Sequence, residues 1–484
     1  MKTIGIILYI IIDLYITVNL TINLPAYNAS IFVGLLMNSL IIPILFYIKK
    51  ISIYEPVFWF SAYYYLLIVS AYIVLSDNFQ NSSLISETSF YNNIYFVFSK
   101  TIWIIFIGYL FFIFAYYLVK QKYIIFNTKQ KIQYLSVGII KLAAYSTLLI
   151  AIFNFLYNLY ILCDLNIINY FVNLAYYSGY MQVYGLTTIG YNFIYVSMFL
   201  FTYLYINKNI SKYLFFLNVV LYFVLLLSLG RITNTLTSLI VLYLSIIYFK
   251  NIYFIDKKLI FKLLIMIILT LMFFFFRMYT SYLRVYGISL EDFINQFSPL
   301  LVNILFGEGN LPNIGIVMKI IDSWQNDIGF LFGQSIFVGL AIFLPSSISR
   351  DLVINNTVSW LSKKEWYMHL HGGSLPPTII GDLFANFGIA GVFLGMFLLG
   401  IIFSIIYQKV VKNMNFFVFV LYLFFLIKFV FILPKGEFCR FSFILIPVMI
   451  LSVYYLIYFI TNIIIKTRKE EDVETNKKNI SNIS

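Results

Sequence analysis

Charge is scarce in this chain: only 11% of its 484 residues are Asp, Glu, Lys or Arg, whereas 62% are hydrophobic. So small a polar fraction cannot coat a water-soluble globule of this length, and the solvent for most of the surface must be lipid. Cysteine is nearly absent as well. Cys163 and Cys439 stand far apart and outside any CxxC spacing, which excludes a disulfide framework and a zinc ribbon. The only two histidines, His369 and His371, form an H-x-H pair for which Glu365 is the one close additional ligand, so no metal site and no cofactor are expected. Also missing is an internal repeat of the kind that builds many transporters from two related halves.

What is abundant is aromatic: Phe and Tyr, at 52 and 42 residues, carry most of the 20% aromatic content. Rings of this kind pack broad apolar surfaces and anchor hydroxyls at the headgroup level. The net charge of +13 would suggest nucleic acid in a soluble protein. Its placement assigns it to membrane orientation instead, and no nucleic-acid partner is expected.

Hydropathy predicts an all-α polytopic membrane protein of about twelve spans. They fall near 4–21, 31–48, 56–75, 94–119, 136–162, 188–206, 211–229, 234–249, 259–277, 380–407, 414–433 and 442–465. The first resembles a signal peptide but carries Asp13 and lacks an A-x-A site before Ser30, so it is read as a span. Basic residues collect in alternate connections: Lys49 and Lys50; Lys120, Lys122, Lys129 and Lys131; Lys208 and Lys212; Lys250, Lys257 and Lys258; Lys409 and Lys412; Lys466, Arg468 and Lys469. The connections 76–93 and 163–187 contain no Lys or Arg. The positive-inside rule therefore expects both termini in the cytoplasm.

The division expected is spans 1–9 over residues 1–277, a large external loop over 278–379, spans 10–12 over 380–465, and a basic cytoplasmic tail over 466–484. Inside the loop, Asn313 precedes Ile314, Val317, Met318 and Ile321, a stripe that predicts an amphipathic helix lying on the bilayer surface. Ser289 to Asp292 reads as another helix start. Residues 330–344 are apolar but too short to span, which suggests a re-entrant or interfacial segment.

Polar chemistry accumulates on the external side. Five of the six arginines, Arg231, Arg277, Arg284, Arg350 and Arg440, fall there, against the positive-inside expectation. Arg277 and Arg284 are seven residues apart and share a face if the helix continues, a pair able to clamp phosphate through planar guanidinium forks. Arg231 is either an anion contact or a residue snorkelling to headgroups. His369 and His371 titrate near neutrality, as a base or hydroxyl-orienting group would, though loop histidines on a wet surface also fit. The Gly372-Gly373 and Pro376-Pro377 turns then allow Thr378 to cap the tenth span, with Asp382 and Asn386 one turn apart at that end. Ala385, Gly388, Gly391 and Gly395 make a small-residue face for close packing. Of the charges in or near spans, Asp13, Lys100, Lys141 and Lys428, the last is near enough to the outer end to join Lys435, Glu437 and Arg440 in the same basin.

Residues 373–391, with Gly381, Asp382, Asn386 and Gly388, resemble the late-span motif of O-antigen and capsule repeat-unit polymerases. The Gly230-Arg231 turn and the arginines that open the large loop are similar to features of that family too. Many members have Glu where this chain has Asp382. The resemblance implies an inverting, metal-independent membrane glycosyltransferase of the bacterial inner membrane, using an undecaprenyl-diphosphate-linked oligosaccharide, with a chain-length regulator protein as a further partner. Arg231, Arg284, His369 and His371 would be catalytic; Arg277, Arg350, Asp382, Asn386, Lys428 and Arg440 would bind substrate. An O-antigen ligase shares this layout, and a lipid-linked oligosaccharide flippase is the alternative from another class.

Overall fold

The computed structural model describes residues 2–22, 24, 28–49, 51–76, 90–120, 137–172, 186–228, 232–249, 289–295, 311–327, 329–335 and 377–412, with a helical run at 267–273 and further helical positions in 261–279 and 418–463. The regular elements among these residues are all helical: α1 (Lys2–Thr21), α2 (Asn28–Lys49), α3 (Pro56–Ser76), α4 (Ile94–Val119), α5 (Val137–Cys163) and α6 (Ile167–Val172). They are followed by α7 (Leu186–Ile206), α8 (Lys212–Leu227), α9 (Ile232–Phe249), α10 (Leu290–Asn295), α11 (Ile314–Asp327) and α12 (Thr378–Lys412). Among the described residues five helices are long and apolar enough to cross a membrane: Ala29–Lys49, Pro56–Ser76, Ile94–Val119, Ile140–Cys163 and Thr378–Lys412. Gly5–Thr21, Phe193–Ile206, Lys212–Leu227 and Ser238–Ile247 are apolar but shorter. The span expected at 259–277 is helical at its described residues, 261, 264–265, 267–273 and 275, whereas those expected at 414–433 and 442–465 lie mostly outside the described residues.

Helical boundaries follow local chemistry. Asn93 caps α4 by accepting from the Tyr95 amide at 2.9 Å, and Ser211 caps α8 by accepting from the Leu214 amide at 3.2 Å. The tightest pairing is α4 against α12. A Cβ built on Gly400 would collide with the Phe112 carbonyl, and one on Gly108 would lie 3.0 Å from Val392. Small residues thus let the two backbones approach, as membrane helices commonly require. Rings fill the flanks: Phe111 stacks on Phe393 at 5.2 Å, and Phe112 meets Phe403 edge-on at 5.7 Å. A second pairing joins α5 to α7, where Ser197 donates to the Ala144 carbonyl at 3.0 Å.

Asp13 is buried among α1, α2 and α3, where its carboxyl accepts from Ser39 at 2.5 Å and Tyr72 at 3.1 Å. Hydroxyl groups thereby meet the requirement that a buried ionisable group be hydrogen-bonded. Beyond the other ends of these helices, Lys120 pairs with Glu55 at 2.6 Å, and Tyr116 donates to the same carboxylate at 3.2 Å. Lys49 and Lys120 both lie over the Tyr117 ring, at 5.1 and 5.5 Å. Neutralising one partner leaves the other charge uncompensated. Glu55→Gln is expected to destabilise the protein by about 2 kcal/mol, the pair being partly open to solvent, with Glu55→Gln/Lys120→Met recovering part of the loss. Thermal melting in detergent checks it.

Candidate functional site

The site is built where α12 breaks. Hydropathy sees one apolar helix, but Phe387 (φ −142°, ψ 15°) and Gly388 (φ 64°, ψ −151°) leave helical geometry and divide it into 378–386 and 389–412. The two pieces fold alongside one another. A Cβ on Gly391 would sit 2.6 Å from the Leu383 carbonyl, whereas an unbroken helix would separate those residues by about 12 Å along its axis. Gly395 likewise meets the Leu383 side chain. The span expected from 380 therefore starts at 389, whose 24-residue piece extends about 36 Å, enough to cross. The small-residue face does pack closely, but against its own preceding piece.

Ending a helix at 386 strands its last carbonyls, which need donors. The loop segment 329–335 supplies them: the amides of Leu331 and Phe332 donate to the carbonyls of Ala385 and Asn386, each at 3.1 Å. The Gly333 amide donates to Asn386 Oδ1 at 2.9 Å. Ser335 Oγ donates to Asp382 Oδ1 at 2.9 Å and accepts from Asn386 Nδ2 at 2.6 Å. Asn386 Nδ2 also donates to the Asp382 carbonyl at 2.7 Å. Asp382, Asn386 and Ser335 are buried at 1%, 0% and 2% exposure, so the network is internal and water does not compete with it.

Backbone strain gathers here. Phe332 (φ 45°) and the β-branched Thr378 (φ 63°) sit in the left-handed region, and they flank this network. The other such non-glycine residues among the described ones, Asp164, Leu165 and Lys208, merely close α5 and α7. Thr378 caps the short piece by accepting from the Gly381 amide at 3.3 Å.

Against this piece lies α11. Asn313 caps it by accepting from the Gly315 amide at 2.8 Å, and the Ile314 amide donates to Ser70 at 3.1 Å. It does not lie on the bilayer surface as its apolar stripe suggests. Residues 312–324 are buried on every side, with Ile320 set against Gly381. Its Asp322 and Lys319 are used internally rather than by water. Asp322 accepts from the Tyr91 amide at 2.6 Å, the Asn92 amide at 3.2 Å and Asn92 Nδ2 at 2.7 Å. Lys319 lies 6.0 and 5.7 Å from the rings of Phe90 and Tyr91. At α10, Ser289 accepts from the Asp292 amide at 3.1 Å, a capped start as expected.

Of the sequence candidates, the structure brings Asp382 and Asn386 together. Arg231, Arg277, Arg284, Arg350, His369, His371, Lys428 and Arg440 lie outside the described residues. Among the described residues no group of three His, Cys, Asp or Glu side chains could hold a metal ion. Sequence reasoning missed Ser335, which sits in an apolar run forty-seven positions from Asp382. It missed Asp322 as well.

A family model described as O-antigen polysaccharide polymerase Wzy matches residues 3–468, nearly the whole chain. The chain belongs to this family. No curated protein and no solved structure matches it. As an O-antigen polysaccharide polymerase it is a multi-pass membrane protein with the family's general role in repeat-unit polymerisation, a glycosyltransferase-type activity on a lipid-linked oligosaccharide. In this polymerase the late-span motif is the helix break itself. Its Asp and Asn join the break to the loop segment 329–335.

Proposed function

We propose that this polymerase joins undecaprenyl-diphosphate-linked repeat units at the outer face of the bacterial cytoplasmic membrane, both termini being cytoplasmic. An acceptor hydroxyl attacks the anomeric carbon of the growing glycan, and the bond from that carbon to the diphosphate breaks. Arg231, Arg277 and Arg284 hold the departing diphosphate, a task guanidinium groups perform without a metal. His369 or His371 takes the acceptor proton. Arg350, Lys428 and Arg440 contact further substrate oxygens. Asp382 and Asn386 hold the floor on which the substrate rests, and a chain-length regulator is the accessory partner.

The observation that best supports this reading is the buried tie between 331–335 and the break of α12. It anchors the chain that follows His369 and His371 at a rigid point, and catalytic groups need such support. The test is deletion in the host, with the surface glycan resolved on a gel. Deletion should collapse the ladder to a single repeat unit on its carrier. Arg284→Ala and His371→Ala should each restore under about one hundredth of wild-type polymer. Full-length polymer accumulating on the carrier would mean a ligase, and repeat units held on the cytoplasmic face would mean a flippase.

A further inference from the structure

Resting on the polymerase reading, we propose that the glycan is held along the seam between α11 and residues 378–386 by two N–H donors, Nδ2 of Asn313, which caps α11, and Nε1 of Trp324 within it. Val317, Ile320 and Trp324 recur at three- and four-residue intervals and so share one face of the helix, and Asn313 caps its start. Ile320 sets that face against Gly381. Lys319 and Asp322 occupy the opposite face, against Phe90 to Asn92. Asn313 Nδ2 and Trp324 Nε1 are buried and, among the described residues, without a hydrogen-bond partner, and each residue is only 1% exposed.

Such donors are rare because leaving one unmade in the interior costs stability. Two of them, one on a 14-residue helix and one on its cap, call for an acceptor. The amide Nδ2 and the indole N–H can only donate, so the ligand must offer oxygens. Eleven positions separate them, about 16 Å along the helix, which exceeds the reach of one phosphate or one sugar. An extended oligosaccharide presents hydroxyl and ether oxygens over that length. The donors are covered, so binding parts α11 from 378–386, a contact made at Gly381 by the tip of the Ile320 side chain.

Trp324→Phe keeps a ring and removes its donor; Asn313→Ser keeps a capping oxygen for the Gly315 amide and removes Nδ2. The probe is the carrier-linked repeat unit that accumulates in the deletion strain, titrated into the full-length protein in detergent. Each variant should weaken binding about fivefold, as loss of one neutral hydrogen bond does, with the melting temperature unchanged or raised. Wild-type affinity in both variants overturns the seam. In wild-type protein the Trp324 indole ¹⁵N resonance should shift on adding the probe, and an unmoved resonance overturns the seam even if both variants fold poorly. An intact ladder in the deletion strain sinks the polymerase reading and the seam with it. A collapsed ladder with undiminished binding sinks the seam alone.

Discussion

A Gly388→Val protein is expected to accumulate poorly in the membrane and to produce no polymer ladder. Gly388 adopts φ 64° and ψ −151°, a region only glycine enters readily, so even alanine there costs about 1–3 kcal/mol and a β-branched side chain more. The loss is larger than local strain. If residues 387–388 return to helical geometry, 378–386 swings away from Leu383's contact with Gly391 and Gly395. The carbonyls of Ala385 and Asn386 then recover intrahelical partners, and the amides of Leu331 and Phe332 lose theirs. The loop segment is thereby released. Gly391→Ala should act similarly because its Cβ would meet a carbonyl oxygen and Phe387 Cβ, neither able to yield. Gly395→Ala should be milder, since the obstacle is a leucine side chain that can change rotamer. Quantifying each variant in isolated membranes alongside its ladder checks the order.

Apolar runs of helical length made most of the described helices legible, because lipid enforces internal backbone hydrogen bonding and leaves little choice of element. The break at Phe387–Gly388 was not legible, since both residues are apolar and hydropathy carries no information about φ. Gly388, Gly391 and Gly395 were visible as a packing face, but their partner lies only a few residues upstream. The stripe through Ile314, Val317, Met318 and Ile321 placed α11 correctly along the chain yet mistook its depth. Lys319 and Asp322 carried no signal of burial, yet the amides of Tyr91 and Asn92 donate to Asp322 and the rings of Phe90 and Tyr91 lie beside Lys319. Asp382 and Asn386 were found as polar residues one turn apart at the end of an apolar span and through the family resemblance of residues 373–391. Their third partner, Ser335, has no sequence signal, for nothing in spacing joins 335 to 382.

That third partner gives the other large expected effect. Asp382→Ala should lower polymer yield at least about a hundredfold if the floor must be rigid, since a misplacement of about 1 Å can cost that much. It deprives Ser335 Oγ of its acceptor inside the protein and removes one of the groups facing Asn386 Nδ2. Each buried polar atom left unsatisfied costs about 1–3 kcal/mol. Global melting should fall only modestly, because the helix pairing of α4 with α12 does not pass through Asp382. The local signature is amide hydrogen exchange: the N–H groups of Leu331, Phe332 and Gly333, all hydrogen-bonded to Ala385 or Asn386, should be protected in wild type and should exchange rapidly in the variant. Ser335→Ala should reproduce both effects more weakly, and Asp382→Ala/Ser335→Ala should fall short of their sum because the two share one hydrogen bond. Unchanged exchange at 331–333 together with lost polymer would instead assign Asp382 to direct contact with the reacting glycan.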